Sequence, residues 1–183
     1  IRRSINDKKN EAQSLNDIGE LYGLMKNAEK AMANHLVALE IRQKLKDKKG
    51  IAESYNNIGV EYYHQKNFNR AIANLDLALA AGKESDDQHQ MSKSYEYLSE
   101  CFEAKGDLSK ALQYKDYFFG MNELIQGEKD EQELLDAQNS YEVRKTEEEI
   151  ANLEAVRIQR EQEIEEQKKF RNFLFLLVAL SLI

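Results

Sequence analysis

The chain has no proline, no tryptophan, one cysteine and only 8 glycines in 183 residues. The lack of proline removes the strongest helix breaker. Together with abundant Ala, Leu, Glu, Lys and Gln, it points to an all-α fold. A lone cysteine, Cys101, cannot close an internal disulfide, so no disulfide framework is expected. It falls on the apolar stripe of its helix and reads as a small core residue. Positive charge is not in excess either: 26 Lys and Arg stand against 33 Asp and Glu. That argues against nucleic acid as a partner. No glycine-rich phosphate loop and no G-x-S-x-G elbow are present, and His35, His64 and His89 lack ligand spacing. The carboxylates follow helix-surface spacing. No catalytic group, cofactor or metal site is expected. No N-terminal signal peptide is visible.

What the chain does have is a repeat. Ile1 to Gly19 reads IRRSINDKKNEAQSLNDIG and Ile41 to Gly59 reads IRQKLKDKKGIAESYNNIG, aligned without a gap at an offset of 40. The next offset, Ala81 to Ser99, keeps Asp87, Ser94 and Tyr95. Fixed-period similarity marks a solenoid, whose units bury their apolar faces against neighbours. The chain opens part-way through a cycle and lacks an initiator Met, so a fragment of a longer protein is expected. Within each cycle the apolar spacing is helical: Leu15, Ile18, Gly19 and Tyr22; Tyr55, Ile58, Gly59 and Tyr62; Tyr95, Leu98, Ser99 and Phe102. Ala31, Ala71 and Ala111 follow at equivalent places. A small residue on one helix facing an Ala on the next lets two antiparallel helices cross closely.

These residues resemble the W-x2-L-G-x2-Y…A-x3-F signature of the tetratricopeptide repeat (TPR) family over roughly residues 1–126. The Trp position holds Leu15, Tyr55 and Tyr95, the later aromatic position holds His35, Leu75 and Lys115, and the terminal Pro is missing. The 40-residue period is similar to the long-repeat branch found in kinesin light chains and bacterial peptide-sensing regulators. The resemblance implies a helical-hairpin solenoid with units near 12–50, 52–90 and 92–126, the first hairpin incomplete. Helices are predicted over 11–24, 28–46, 51–65, 68–82, 90–104 and 108–125. Asn27, Asn67 and Asp107 stand where N-caps are wanted, and Asn10 and Gly50 where a left-handed C-cap is wanted.

Gly127 is read as a break, followed by a charged helical stalk over 127–171. From Glu128 to Lys169 there are 14 acids and 7 bases, which accounts for the whole net charge of −7. Arg144/Glu148, Lys145/Glu149 and Arg157/Glu161 are i,i+4 pairs. Val143, Ile150, Arg157, Ile164 and Arg171 fall seven apart, as do Thr146, Leu153, Arg160, Gln167 and Leu174. Two readings stay open: a single solvated helix, or a parallel dimeric coiled coil that buries Ile150, Leu153 and Ile164. Residues 172–183, NFLFLLVALSLI, follow Lys168, Lys169 and Arg171 and read as the start of a truncated transmembrane helix.

The order of parts resembles the N-terminal sensory half of bacterial membrane histidine kinases that carry TPR repeats. Similar stacks precede nucleotide cyclases and helix-turn-helix regulators. The resemblance implies a protein- or peptide-binding sensory module in a bacterial cell membrane, relaying through a homodimeric stalk. The alternative is a membrane-anchored scaffold without switching. The basic flank favours a cytoplasmic repeat domain, whereas the family order favours a periplasmic one. The family's groove is lined by the first helix of each hairpin, which assigns Asn16, Asp17, Glu20, Asn56, Asn57, Glu61, Tyr63, His64, Tyr97 and Glu100 to it. Asn57 matches the residue that holds peptide backbone in long-repeat relatives, since an Asn both donates and accepts.

Overall fold

The computed structural model describes the backbone of residues 2–181 and the side chains of residues 4, 5 and 7–172. Six helices occupy these residues: α1 (Arg2–Leu24), α2 (Ala28–Leu45), α3 (Lys48–His64), α4 (Phe68–Ser85), α5 (Gln88–Ala104) and α6 (Leu108–Ser181). Two units separate, Ile1–Glu128 and Lys129–Ile183.

In the first unit α1 pairs with α2, α3 with α4, and α5 with the start of α6. The small residues sit at the crossings. A Cβ on Gly59 would stand 2.8 Å from Leu75 Cγ and 3.4 Å from the Ala71 carbonyl oxygen. In the third hairpin Ser99 takes that place, and its hydroxyl donates to the Ala111 carbonyl at 2.9 Å. Ala71, Leu75, Leu79, Tyr95, Leu98 and Cys101 form the core, with Phe102, Tyr114, Phe118 and Met121 packed against it. Cys101 is fully buried, and burial pushes its thiol up to about 11, so it is not a nucleophile at neutral pH.

The turns recur every 20 residues, not every 40. Lys26, Lys46, Lys66, Asp86 and Gly106 all have positive φ. Asn27, Asp47, Asn67, Asp87 and Asp107 follow them, and each side chain accepts from the backbone N–H three residues on. Turns within hairpins and turns between hairpins are thus one device: a left-handed residue ends one helix and an Asx residue caps the next. Four of the five left-handed positions are not glycine, at a cost of about 1 kcal/mol each.

Three expectations are corrected. The first helix begins at Arg2, not residue 11, because nothing in residues 2–10 breaks a helix; Asn10 lies inside it. Gly50 is no C-cap: Lys46 ends α2, and Gly50 is buried in α3 against Arg42. Gly127 does not interrupt α6, which runs through it for 74 residues in all. An exposed helical Gly costs only about 1 kcal/mol, and the charged residues around Gly127 are good helix formers.

In the second unit every described side chain is exposed, including Ile150, Leu153 and Ile164. Among the described residues no helix is long and apolar enough to cross a membrane. The side chains of residues 173–183, on which the expected span falls, lie outside the described residues.

Candidate functional site

The first helices of the three hairpins, α1, α3 and α5, together present a cleft of about 280 Å³. Glu20, Gly23 and Leu24 come from α1; Asn57, Val60, Glu61 and His64 from α3; Lys93 and Tyr97 from α5; His35 reaches it from α2. A polar ladder joins the three helices. Lys93 Nζ donates to Asn57 Oδ1 at 2.8 Å, and Asn57 Nδ2 donates to Glu20 Oε1 at 2.7 Å. Lysine only donates and an ionised carboxylate only accepts, so the Asn57 amide has one orientation.

Of the residues assigned to the groove from sequence, Glu20, Asn57, Glu61, His64 and Tyr97 line this cleft. Tyr63 sits beside it, edge-on to Tyr97 at 5.4 Å between ring centroids. Burial and a hydrogen bond to Glu100 raise the pKa of the Tyr63 phenol. Asp17 is exposed away from the cleft, accepting from Gln13 at 2.9 Å. Asn16 and Asn56 are fully buried instead of facing a ligand. Asn56 Nδ2 donates to the Gln90 carbonyl at 2.9 Å and its Oδ1 accepts from Ser94 at 2.7 Å, which fastens α3 to α5. Both are one residue off the exposed face, and burial on a helix changes that quickly around the turn. His35, Lys93, Val60, Leu24 and Gly23 complete the lining. Helix register puts Lys93 on the groove side with Tyr97; the nearness of the other four follows from the angle between hairpins, which periodicity does not give.

Asn16 belongs to a second polar network under the cleft. Its Nδ2 donates to Glu53 Oε1 at 2.8 Å, and its Oδ1 lies 3.0 Å from His35 Nδ1. With the amide oxygen facing the ring, Nδ1 must carry the proton, which leaves His35 neutral with a bare Nε2. Burial first, then Lys93 and Arg42, pull the His35 pKa from 6.5 down to about 4. The unfolded chain therefore binds this proton more tightly than the folded one. Stability is complete above about 6.5 and falls as the pH drops toward about 4, by about 2 kcal/mol between roughly pH 7 and pH 5. Urea melts of wild type and His35→Gln across that window test this: the variant should lose most of the difference, and parallel curves would exclude His35 as the source.

Glu61 differs from its polar neighbours. It is only 6 % exposed, yet its carboxylate makes no hydrogen bond among the described residues. Burial raises its pKa, and His64 acts in the opposite direction. Gly23 gives it room, since a Cβ there would overlap the Glu61 carboxylate. Among the described residues no group of three or more His, Cys, Asp or Glu could hold a metal ion.

Helical hairpins crossing at small residues, with a cleft along their first helices, define a TPR-like solenoid. Residues 50–115 match the family model described as Tetratricopeptide repeat. Among solved structures, the TPR domain of Arabidopsis FLU is similar at 26% identity, covering 64% of this chain and 98% of that one, with a TM-score of 0.60. BtubC (BKLC) from P. vanneervenii is similar at 26% identity over 63% of this chain, with a TM-score of 0.57, and the match spans 48% of that protein. The N-terminal domain of stress-induced protein-1 (STI-1) from C. elegans, at 23% identity, shares the fold over 67% of this chain and 95% of its own, with a TM-score of 0.54. No curated protein matches the chain at a significant level.

Proposed function

We propose that the chain is the protein- or peptide-docking module of a membrane-anchored signalling protein. The repeats take an extended peptide in the cleft. The charged helix passes the change on to an output domain, a histidine kinase by the order of parts. The observation that supports docking is the Lys93–Asn57–Glu20 ladder across the cleft. Asn57 sits between a cation and an anion, and a peptide amide can replace either bond without loss of hydrogen bonding. Peptides selected by display against the chain test this. Binding should shift backbone amide signals of Asn57, Lys93 and Tyr97, and Asn57→Ala should weaken it about tenfold while the chain stays folded. Selected peptides that map instead to α2, α4 or α6 would overturn the reading.

The relay rests on a population shift, in which the peptide favours one stack curvature or stalk geometry over another. Ile150, Leu153 and Ile164 support a paired stalk. They are 56%, 70% and 51% exposed, at positions a second copy would cover. Leu153→Cys in a Cys101→Ser background should crosslink between copies of the full-length protein in membranes. If no crosslink forms with cysteine at 150, 153 or 164, the paired relay gives way to an anchored monomeric scaffold. The apolar run after Lys168, Lys169 and Arg171 supports the anchor, with the basic residues at the membrane boundary.

A further inference from the structure

We propose that Glu61 anchors a cationic side chain, lysine or arginine, of the docked peptide; the inference rests on the cleft being the peptide site. Glu61 is 6 % exposed and its carboxylate makes no hydrogen bond among the described residues, whereas the carboxylates of Glu20 on α1 and Glu53 on α3 are both hydrogen-bonded. A buried carboxylate is normally paired. Packing does not require one here: the equivalent positions of the other hairpins hold Leu21 and Cys101. Gly23 opposite Glu61 keeps the carboxylate's space open.

The chain's own cations do not satisfy it. Lys93 is bonded to Asn57, and Lys26, at the edge of an adjoining recess of about 490 Å³, makes no ion pair with Glu61. Glu61 borders both the recess and the cleft, so a ligand can reach it. His64, exposed on the same helix, opposes the effect of burial on Glu61 but makes no hydrogen bond to it. The surrounding surface selects the shape of the cation. Leu24, Val60 and Tyr97 offer an apolar wall for a methylene stem and an aromatic ring for its charged head. A divalent metal ion would need several oxygen ligands, and the cleft provides one free carboxylate.

The test titrates the full-length chain with the blocked peptide acetyl-Ala-Ala-Arg-Ala-Ala-amide and with versions carrying lysine, citrulline or glutamate in place of arginine. Affinity is measured by calorimetry and location by amide signals of the cleft. The arginine and lysine peptides should bind at the cleft, citrulline about tenfold more weakly, and glutamate not at all. Glu61→Gln should bring the arginine peptide down to the citrulline level and leave the citrulline peptide unchanged. Equal binding of arginine and citrulline peptides, or an unchanged arginine affinity in Glu61→Gln, would overturn the assignment. Should all four peptides bind the cleft alike, the cation anchor fails and the docking reading stands. Should none move the cleft signals, both fail.

Discussion

Replacing Arg42 with methionine is expected to remove about 3 kcal/mol or more of stability. Arg42 is 3 % exposed, and its guanidinium ties α2 to both α1 and α3. Nη1 donates to the Gly50 carbonyl at 3.0 Å and to Ser54 Oγ at 2.7 Å. Nη2 donates to Gln13 Oε1 at 2.7 Å and to Glu53 Oε2 at 2.9 Å. The planar fork suits this geometry, and Lys does not reproduce it. Methionine keeps much of the stem's volume but takes this donor from Glu53 Oε2, Gln13 Oε1, Ser54 and a backbone carbonyl, leaving Glu53 only its bonds at Oε1. Arg42→Lys should recover less than half of the loss. The double variant Arg42→Met/Glu53→Gln should be more stable than Arg42→Met alone, since the stranded charge is gone. Because α2 meets α3 at this point, hydrogen exchange should speed up first in α1 and α2, with α4 and α5 little changed. A urea midpoint within error of wild type would remove Arg42 from the joint between hairpins.

The next joint solves the same problem in reverse. Forty residues on from Arg42 stands Gly82, and forty on from Ile51 stands Met91; a Cβ on Gly82 would lie 3.0 Å from Met91 Cγ. The first joint therefore puts the large side chain on the earlier helix, with Gly50 clearing its path. The second puts it on the later helix, with Gly82 doing so. This exchange explains why Gly50 misleads as a C-cap. Its position beside a turn is right for one, but its lack of a side chain serves Arg42. The sequence carries a hint, since Arg42/Gly82 and Gly50/Gln90 change size in opposite senses at fixed register.

The hairpins were legible at their turns and crossings, though not at the start of α1 or in the continuation of α6 past Gly127. Their boundaries follow from the Gly19/Gly59/Ser99 and Ala31/Ala71/Ala111 series and from Asn27, Asn67 and Asp107. The 20-residue recurrence of the turns was missed: Asp47 and Asp87 complete the Asx series, but a period of 40 hides it. The cleft was half legible. Helical phase places Glu20, Asn57, Glu61, His64 and Tyr97 on the right side. It cannot tell Asn57, nearly buried but bordering the cleft, from Asn56, shut away between α3 and α5, because that depends on how far each hairpin rotates against the next. The polar core of the first hairpin lay beyond pattern reading. His35 stands where the second hairpin has Leu75, and its ring is held by Asn16 on α1, which Glu53 fixes from α3.

Gly59→Leu is expected to cost about 3 kcal/mol and to act differently from Arg42→Met. At the α3–α4 crossing, an added Cβ would already meet Leu75 at 2.8 Å and 2.9 Å. Leu75 cannot retreat: it is fully buried in the core with Ala71, Leu79 and Leu98. Nor can the Ala71 carbonyl oxygen, which belongs to the α4 backbone. The helices must move apart, and a hairpin core packed at crystal-like density resists that. Helix propensity runs the other way. Both Ala and Leu are better helix formers than Gly by up to about 1 kcal/mol, so Gly59→Ala should show a smaller net loss, about 1 kcal/mol. Gly59→Ser should fall between them, because Ser99 is accepted at the same place in the third hairpin by donating to a carbonyl. The reach of the damage separates this site from Arg42. The α3–α4 hairpin has a neighbour on each side, so hydrogen exchange should speed up in α1–α2 and in α5 together, not at one end. Wild-type thermal melting of Gly59→Leu would show that α3 and α4 do not cross closely at this residue.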